Sequence, residues 1–153
     1  TSDCFSLGDG LHIGVYDNHL KFKGLLSTIK SSSANLYVLA SLEKKRKNLD
    51  ELLLFNSDKR PIEGTNSNLF IFKEGKIFTP PLFEGPLLGC MRSLVLDHFT
   101  VEEVALNLKD IQTADEIFFT NCNGVRYVKK FGQHDDYTNT ISKKVVKRLN
   151  SLI

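Results

Sequence analysis

The amino-acid sequence predicts an α+β fold, a mixed, barrel-like sheet surrounded by helices. Strand-like runs crowd the middle of the chain, and helical patterns lie between and after them. The two do not alternate as regular βαβ units. At 153 residues the chain is long enough for one domain with a hydrophobic core.

Residues 1–7 read as linker, and 11–16 as a loosely alternating strand that ends in an Asp17-Asn18 turn. Residues 27–33 are polar and irregular. A helix is expected over 34–47, where Leu36, Leu39 and Leu42 combine with Glu43, Lys44, Lys45 and Arg46; Ser31, Ser32 and Ser33 offer N-caps. Residues 51–56 form a buried-strand run that stops at Ser57-Asp58-Lys59. Two aromatic runs, 68–73 and 76–79, meet across Glu74-Gly75, which predicts a hairpin. Pro80-Pro81 ends it, because proline has no N–H for the ladder. Beyond the loop 85–89 the pattern predicts a helix over 90–98, a strand over 101–106 and a short helix over 108–114. Strands over 116–120 and 125–130 are broken at Asn121-Cys122-Asn123-Gly124. Ile141, Val145, Leu149 and Leu152 stand at helical spacing in a closing helix over 138–152.

Composition excludes several function classes. Twenty basic and 18 acidic residues leave a formal charge of +2, too near balance for nucleic acid or an anionic membrane as the main partner. No apolar run reaches transmembrane length, and the first ten residues lack a signal pattern. Cys4, Cys90 and Cys122 are odd in number and scattered, which suits neither a disulfide framework nor a zinc site; a reducing, cytoplasmic setting is expected, with no metal. The chain opens on Thr rather than Met, which suggests a segment of something longer.

Four motifs carry the chemistry. They are Ser27-Thr28-Ile29-Lys30-Ser31-Ser32; Pro61-Ile62-Glu63-Gly64-Thr65-Asn66-Ser67-Asn68-Leu69-Phe70; Thr79-Pro80-Pro81 followed by Gly85-Pro86-Leu87-Leu88-Gly89-Cys90-Met91-Arg92; and Ala114-Asp115-Glu116-Ile117-Phe118-Phe119-Thr120-Asn121. In this order and at these separations they resemble the class IV aminotransferases and their relative aminodeoxychorismate lyase, fold-type IV enzymes of pyridoxal 5'-phosphate (PLP). The resemblance implies the large domain of the D-amino acid aminotransferase-like fold. It assigns 1–26 to an interdomain linker and first strand and 27–153 to the PLP-binding domain, with the small N-terminal domain absent.

The same resemblance assigns site residues. Lys30 corresponds to the lysine that joins PLP as a Schiff base, a role that needs an amine able to attack an aldehyde and shuttle a proton. A lysine at the head of a helix and partly desolvated would suit it. Glu63 corresponds to the acid paired with the pyridine nitrogen, which keeps the ring an electron sink. Asn68 belongs to the same loop-to-strand turn, with a structural hydrogen bond as ready an explanation as a cofactor contact. Gly89 opens a helix whose Cys90 and Met91 amides would face the cofactor phosphate. Cys122 and Asn123 align with residues that complete the phosphate cup. Relatives of aminotransferase type usually carry a hydroxyl residue near there; Thr120, Cys122 and Asn123 stand here instead and lean toward the lyases.

Blander readings stand beside these. A lysine next to three serines is, by itself, an ordinary solvated side chain, and Glu63 an exposed carboxylate before a glycine. Arg92 matches the family's arginine, but a structural ion pair is the favoured role. Cys122 suits a buried small residue better than a nucleophile. His134-Asp135-Asp136 reads as a solvated loop, and Lys143, Lys144, Lys147 and Arg148 as the polar face of a helix. Gly8-Asp9-Gly10-Leu11 lies too close to Lys30 to be the family's glycine-rich stretch. The hydroxyl that some relatives place five residues after the lysine is replaced by Asn35. The expected function is amino-group transfer between an amino acid and a 2-oxoacid, in a full-length homodimer. The alternatives are pyruvate-releasing lyase action on aminodeoxychorismate and a non-catalytic domain of this fold.

Overall fold

A computed structural model describes residues 4–31 and 34–153. Among the described residues the chain runs β1 (Ser6–Leu7), β2 (Leu11–Lys21), α1 (Asn35–Arg46), β3 (Glu51–Asn56), β4 (Pro61–Glu63), β5 (Asn68–Lys73), β6 (Lys76–Thr79), α2 (Cys90–His98), β7 (Val101–Glu103), α3 (Leu108–Gln112), β8 (Glu116–Asn121), β9 (Gly124–Phe131) and α4 (Thr140–Asn150). Single 3-10 turns cover Leu25–Thr28 and Leu82–Glu84.

Six strands close on themselves in the order β9-β2-β3-β4-β5-β8 and back to β9. Closure gives each of them two hydrogen-bonded neighbours and so removes free edges. The sheet is mixed. β2 runs parallel to β3 and β9, whereas the β3-β4, β4-β5, β5-β8 and β8-β9 pairs are antiparallel. β1 adds beside β9, and β6 and β7 extend the sheet from β5. The α+β, barrel-like expectation is met.

Alternation along the strands assigns the two faces. Leu11 and Ile13 of β2, Leu53 and Phe55 of β3, Leu69 and Ile71 of β5, and Ile117 and Phe119 of β8 fill the interior, joined by Ile111 of α3. The outer face carries the helices. Phe70 and Phe118, paired across β5 and β8, stack with centroids 5.1 Å apart beneath Val95 of α2 and Val145 and Leu149 of α4. Such a ring pair adds about 1 kcal/mol to its area burial. On the neighbouring part of that face α1 seats on Tyr16, Leu52 and Leu54 through Ala40.

Several local expectations hold. The Glu74-Gly75 hairpin forms with both φ values positive (52° and 78°), the two-residue turn whose twist matches the strands. The helix at 90–98 and the β8-β9 hairpin are also present. Others need correction. Ser6–Leu7 is not linker but a short strand on β9. Asp17-Asn18 makes no turn, because β2 continues to Lys21 with a register irregularity after Tyr16. α1 is capped by Ala34 without a side-chain bond, so the serine cap does not form at Ser31, and Ser32 and Ser33 lie outside the described residues. Leu39 and Leu42 of α1 are exposed, and Ala40 is the helix's one buried residue. β7 ends at Glu103, and β4, read from sequence as a turn, is a three-residue strand opened by Pro61.

Candidate active site on the outer face of the barrel

One transverse row of paired residues crosses the outer face. Tyr16 pairs with Leu54, Leu54 with Glu63, Glu63 with Asn68, Asn68 with Thr120 and Thr120 with Val125. Directly opposed residues share a face. The row is apolar where α1 covers it and apolar again at Val125. Between these ends stand a carboxylate, an amide and a hydroxyl, exposed by only 1%, 5% and 1%. Burying three polar side chains in succession costs free energy that packing alone does not require.

The loop 85–89 lies over this row. Leu87 N donates to Glu63 Oε2 at 2.8 Å, and Asn68 Nδ2 donates to the Leu87 carbonyl at 2.8 Å. Leu88 N donates to the carbonyl of Thr28 at 2.8 Å, which ties the segment leading to Lys30 onto the same loop. Gly89 is the N-cap of α2 and offers no side-chain cap. A Cβ there would fall 2.1 Å from Asn68 Oδ1, so only glycine lets this backbone approach the row. The first amides of α2 have no acceptor within the helix.

Glu63 has two further donors. Lys21 Nζ and Tyr37 Oη each reach Oε1 at 2.7 Å, and the ammonium stands 5.4 Å from the Tyr37 ring centroid. Burial pulls the Lys21 ammonium below the usual lysine range, with the Glu63 carboxylate pulling the other way. Burial, then the negative charge of Glu63, raises the Tyr37 phenol. At the other end of the row, Thr120 Oγ1 is buried with no hydrogen-bond partner among the described residues.

Glu63, Asn68 and Gly89 are thus brought together, and Glu63 is buried, not exposed before a glycine. Cys90 is exposed and the Met91 side chain packs into the core below α2; both stand in the first turn after Gly89. Cys122 and Asn123 occupy the β8-β9 turn beyond Thr120, and both are exposed. The expectation of a buried Cys122 is therefore wrong: a two-residue hairpin tip has no layer above it. Lys30 is exposed and lies five residues ahead of α1, not at its head, because the helix starts only at Asn35. Arg92 takes the structural role expected of it, donating to Glu103 and to the Pro80 carbonyl. Among the described residues no cluster suits a metal, and no helix is long and apolar enough to cross a membrane.

Sequence reasoning missed Lys21 and Tyr37, and it named Thr120 only in passing; strand parity with Phe118 puts Thr120 on the outer face. Tyr37 stands two residues past the position where relatives carry a hydroxyl. No local pattern marks Lys21.

The family model for amino-transferase class IV matches residues 12–131. A provisionally named branched-chain-amino-acid aminotransferase of Methanocaldococcus jannaschii is 34% identical over 118 residues, 73% of this chain and 41% of that protein. Aminodeoxychorismate lyase of Vibrio harveyi is 31% identical over 117 residues, 73% of this chain and 43% of that protein. The chain therefore spans less than half the length of these two relatives. The crystal structure of branched-chain amino acid aminotransferase from Thermobaculum terrenum in its PLP form shares the fold, with a TM-score of 0.80 at 21% identity over 94% of this chain and 51% of that one. On the family match and on the identity to both relatives, the chain belongs to the class IV aminotransferase family.

Proposed function

We propose that this chain is the cofactor-binding portion of a PLP-dependent aminotransferase that moves an amino group between an amino acid and a 2-oxoacid. The buried row Glu63, Asn68 and Thr120, closed over by the loop that also holds the Lys30 segment, carries the reading. A carboxylate has about four acceptor sites. Three on Glu63 are taken, which leaves one on Oε2 for a ring N–H. The unspent Thr120 hydroxyl and the glycine-only cradle at Gly89 suit a phosphate at the other end. Two strand spacings, about 9.5 Å, separate those ends.

PLP, when bound, supplies the electron sink for charge developing at the substrate Cα. Glu63 would hold the ring nitrogen. The amides of Cys90 and Met91, the Thr120 hydroxyl and the turn at Cys122 and Asn123 would hold the phosphate, while Asn68 braces the loop that carries Gly89. Lys30 would bind the cofactor's aldehyde carbon and carry the proton at the substrate Cα. The solved relative in its PLP form supports the choice of cofactor. The reading includes a full-length homodimer in a reducing, cytoplasmic setting, which suits three exposed free cysteines.

Absorbance of the full-length protein with PLP tests this. A band that marks covalent attachment and vanishes in Lys30→Ala is expected; no band from the intact protein would make the domain non-catalytic. A second reading, aminodeoxychorismate lyase, is favoured by Cys122 and Asn123 in place of a hydroxyl and by the lyase-named relative. Pyruvate release from aminodeoxychorismate without any oxoacid acceptor would replace transamination with that reading.

A further inference from the structure

Lys21 follows four exposed residues at the end of β2, where the register with β3 shifts, and then turns inward. Its backbone is pinned by pairing with Asn56 and by the Ser57 N–H that donates to its carbonyl at 2.9 Å. Register irregularities of this kind re-aim side chains, often beside active sites. Here the result is a buried ammonium 2.7 Å from Glu63 Oε1, on the same oxygen that accepts the Tyr37 hydroxyl. A buried ion pair is a poor source of stability, since an apolar pair of similar volume often does as well. Its placement on one oxygen of the row's only carboxylate calls for another explanation.

We propose that Lys21, with Tyr37 beside it, is a positioning residue that clamps Glu63 through Oε1 and leaves Oε2 as the acceptor presented to the cofactor ring nitrogen. The inference rests on the cofactor reading above. Two donors on Oε1 fix the rotation of the carboxylate. Without Lys21 the carboxylate loses one of the two donors on Oε1 and is freer to turn, and a mobile acid is a weaker partner for a protonated ring nitrogen.

The test uses full-length protein and 4'-deoxypyridoxine 5'-phosphate, an analogue with no aldehyde, so that Lys30 chemistry does not enter. Its ultraviolet spectrum reports protonation of the ring nitrogen. Lys21→Met is expected to weaken binding at least about tenfold, the scale of a lost charge-assisted hydrogen bond, and to reduce the ring-protonated band. Lys21→Arg should restore both to within about threefold. If Lys21→Met binds the analogue as the wild type does, or more tightly because a competing cation has gone, the inference fails and the cofactor reading stands. If the wild type does not bind the analogue, both fall together. Should Lys21→Met not fold, Tyr37→Phe removes the second donor on Oε1, and an unchanged affinity and spectrum there overturn the clamp.

Discussion

Glu116 and Glu63 are both buried on the outer face of the barrel, yet their surroundings differ in kind. Glu116, at the head of β8, accepts from Ile141 N, Ser142 N, Ser142 Oγ and Thr138 Oγ1, the last at 3.2 Å. Three donors belong to the first turn of α4 and the fourth, Thr138, lies just ahead of its N-cap; the carboxylate favours the positive end of that helix. Its acceptor capacity is spent. Glu63 accepts from one ammonium, one phenol and one amide, each on a different element, and keeps a site free. A saturated carboxylate stitches one helix to the sheet. A partly spent one, held from three sides, is oriented toward something else.

Substitutions should separate the two. The largest expected effect is Glu63→Gln in the full-length enzyme: kcat/KM falls by about two to three orders of magnitude, the scale of one lost electrostatic contact to developing charge. Steady-state kinetics check this, and an unchanged kcat/KM would put Glu63 in the same class as Glu116. Glu116→Ala should act in the opposite sense. It strands the donors at the start of α4 at a cost of about 3 kcal/mol. That lowers Tm by roughly 8 °C, while kcat measured well below the transition stays near the wild-type value.

The alkaline limb of stability gives a finer comparison. Tyr37 is raised above its ordinary 10.0 in the folded chain, so its contribution is fully present below pH 10 and is lost as pH rises beyond it. Denaturant titrations should show the wild type losing about 1 kcal/mol more than Tyr37→Phe between pH 10 and 11. A parallel pH dependence in the two proteins would mean that the phenol is not held neutral against Glu63. The smallest effect belongs to a site remote from both carboxylates. The capping box of α3, in which Asn107 Oδ1 accepts from Asp110 N and Asp110 Oδ2 accepts from Asn107 N, is exposed. Asn107→Ala should cost under about 1 kcal/mol by thermal melting and leave catalysis alone.

Much of the fold was legible because local rules decided it. Glu74-Gly75 demands a tight hairpin whatever surrounds it, and the aromatic runs on either side could only be strands. Gly89 ahead of an amphipathic stretch marked the start of α2. Where tertiary context decided, the local signal misled. The segment before Gly64 read as a turn, yet Pro61 opens β4, a position where its missing N–H is tolerated. Leu39 and Leu42 fit a helical composition, yet both are exposed, and the sheet accepts α1 through Ala40 with Leu36 and Tyr37 packed beside it.

The site divides in the same way. Glu63, Asn68 and Gly89 were visible through family motifs, and the structure brings them within hydrogen-bonding reach of one loop. Lys21 was invisible because a register shift turns it inward, and such shifts leave no trace in residue type. Tyr37 was overlooked because its neighbour Asn35 occupied the position under scrutiny. Lys30 was assigned by motif alone, and its exposed placement agrees with the solvated side chain that the three serines after it suggest by themselves.

The transverse row has a consequence for how this chain tolerates length changes. Glu63, Asn68 and Thr120 are spaced by hydrogen-bonded strand pitch, not by the 51 residues that lie along the chain between the last two. Extra residues in the connection after α2 would lengthen a loop at little thermodynamic expense and leave the three side chains where they are. Deleting a single residue within β5 would rotate its side chains to the barrel interior and dismantle the constellation at a stroke.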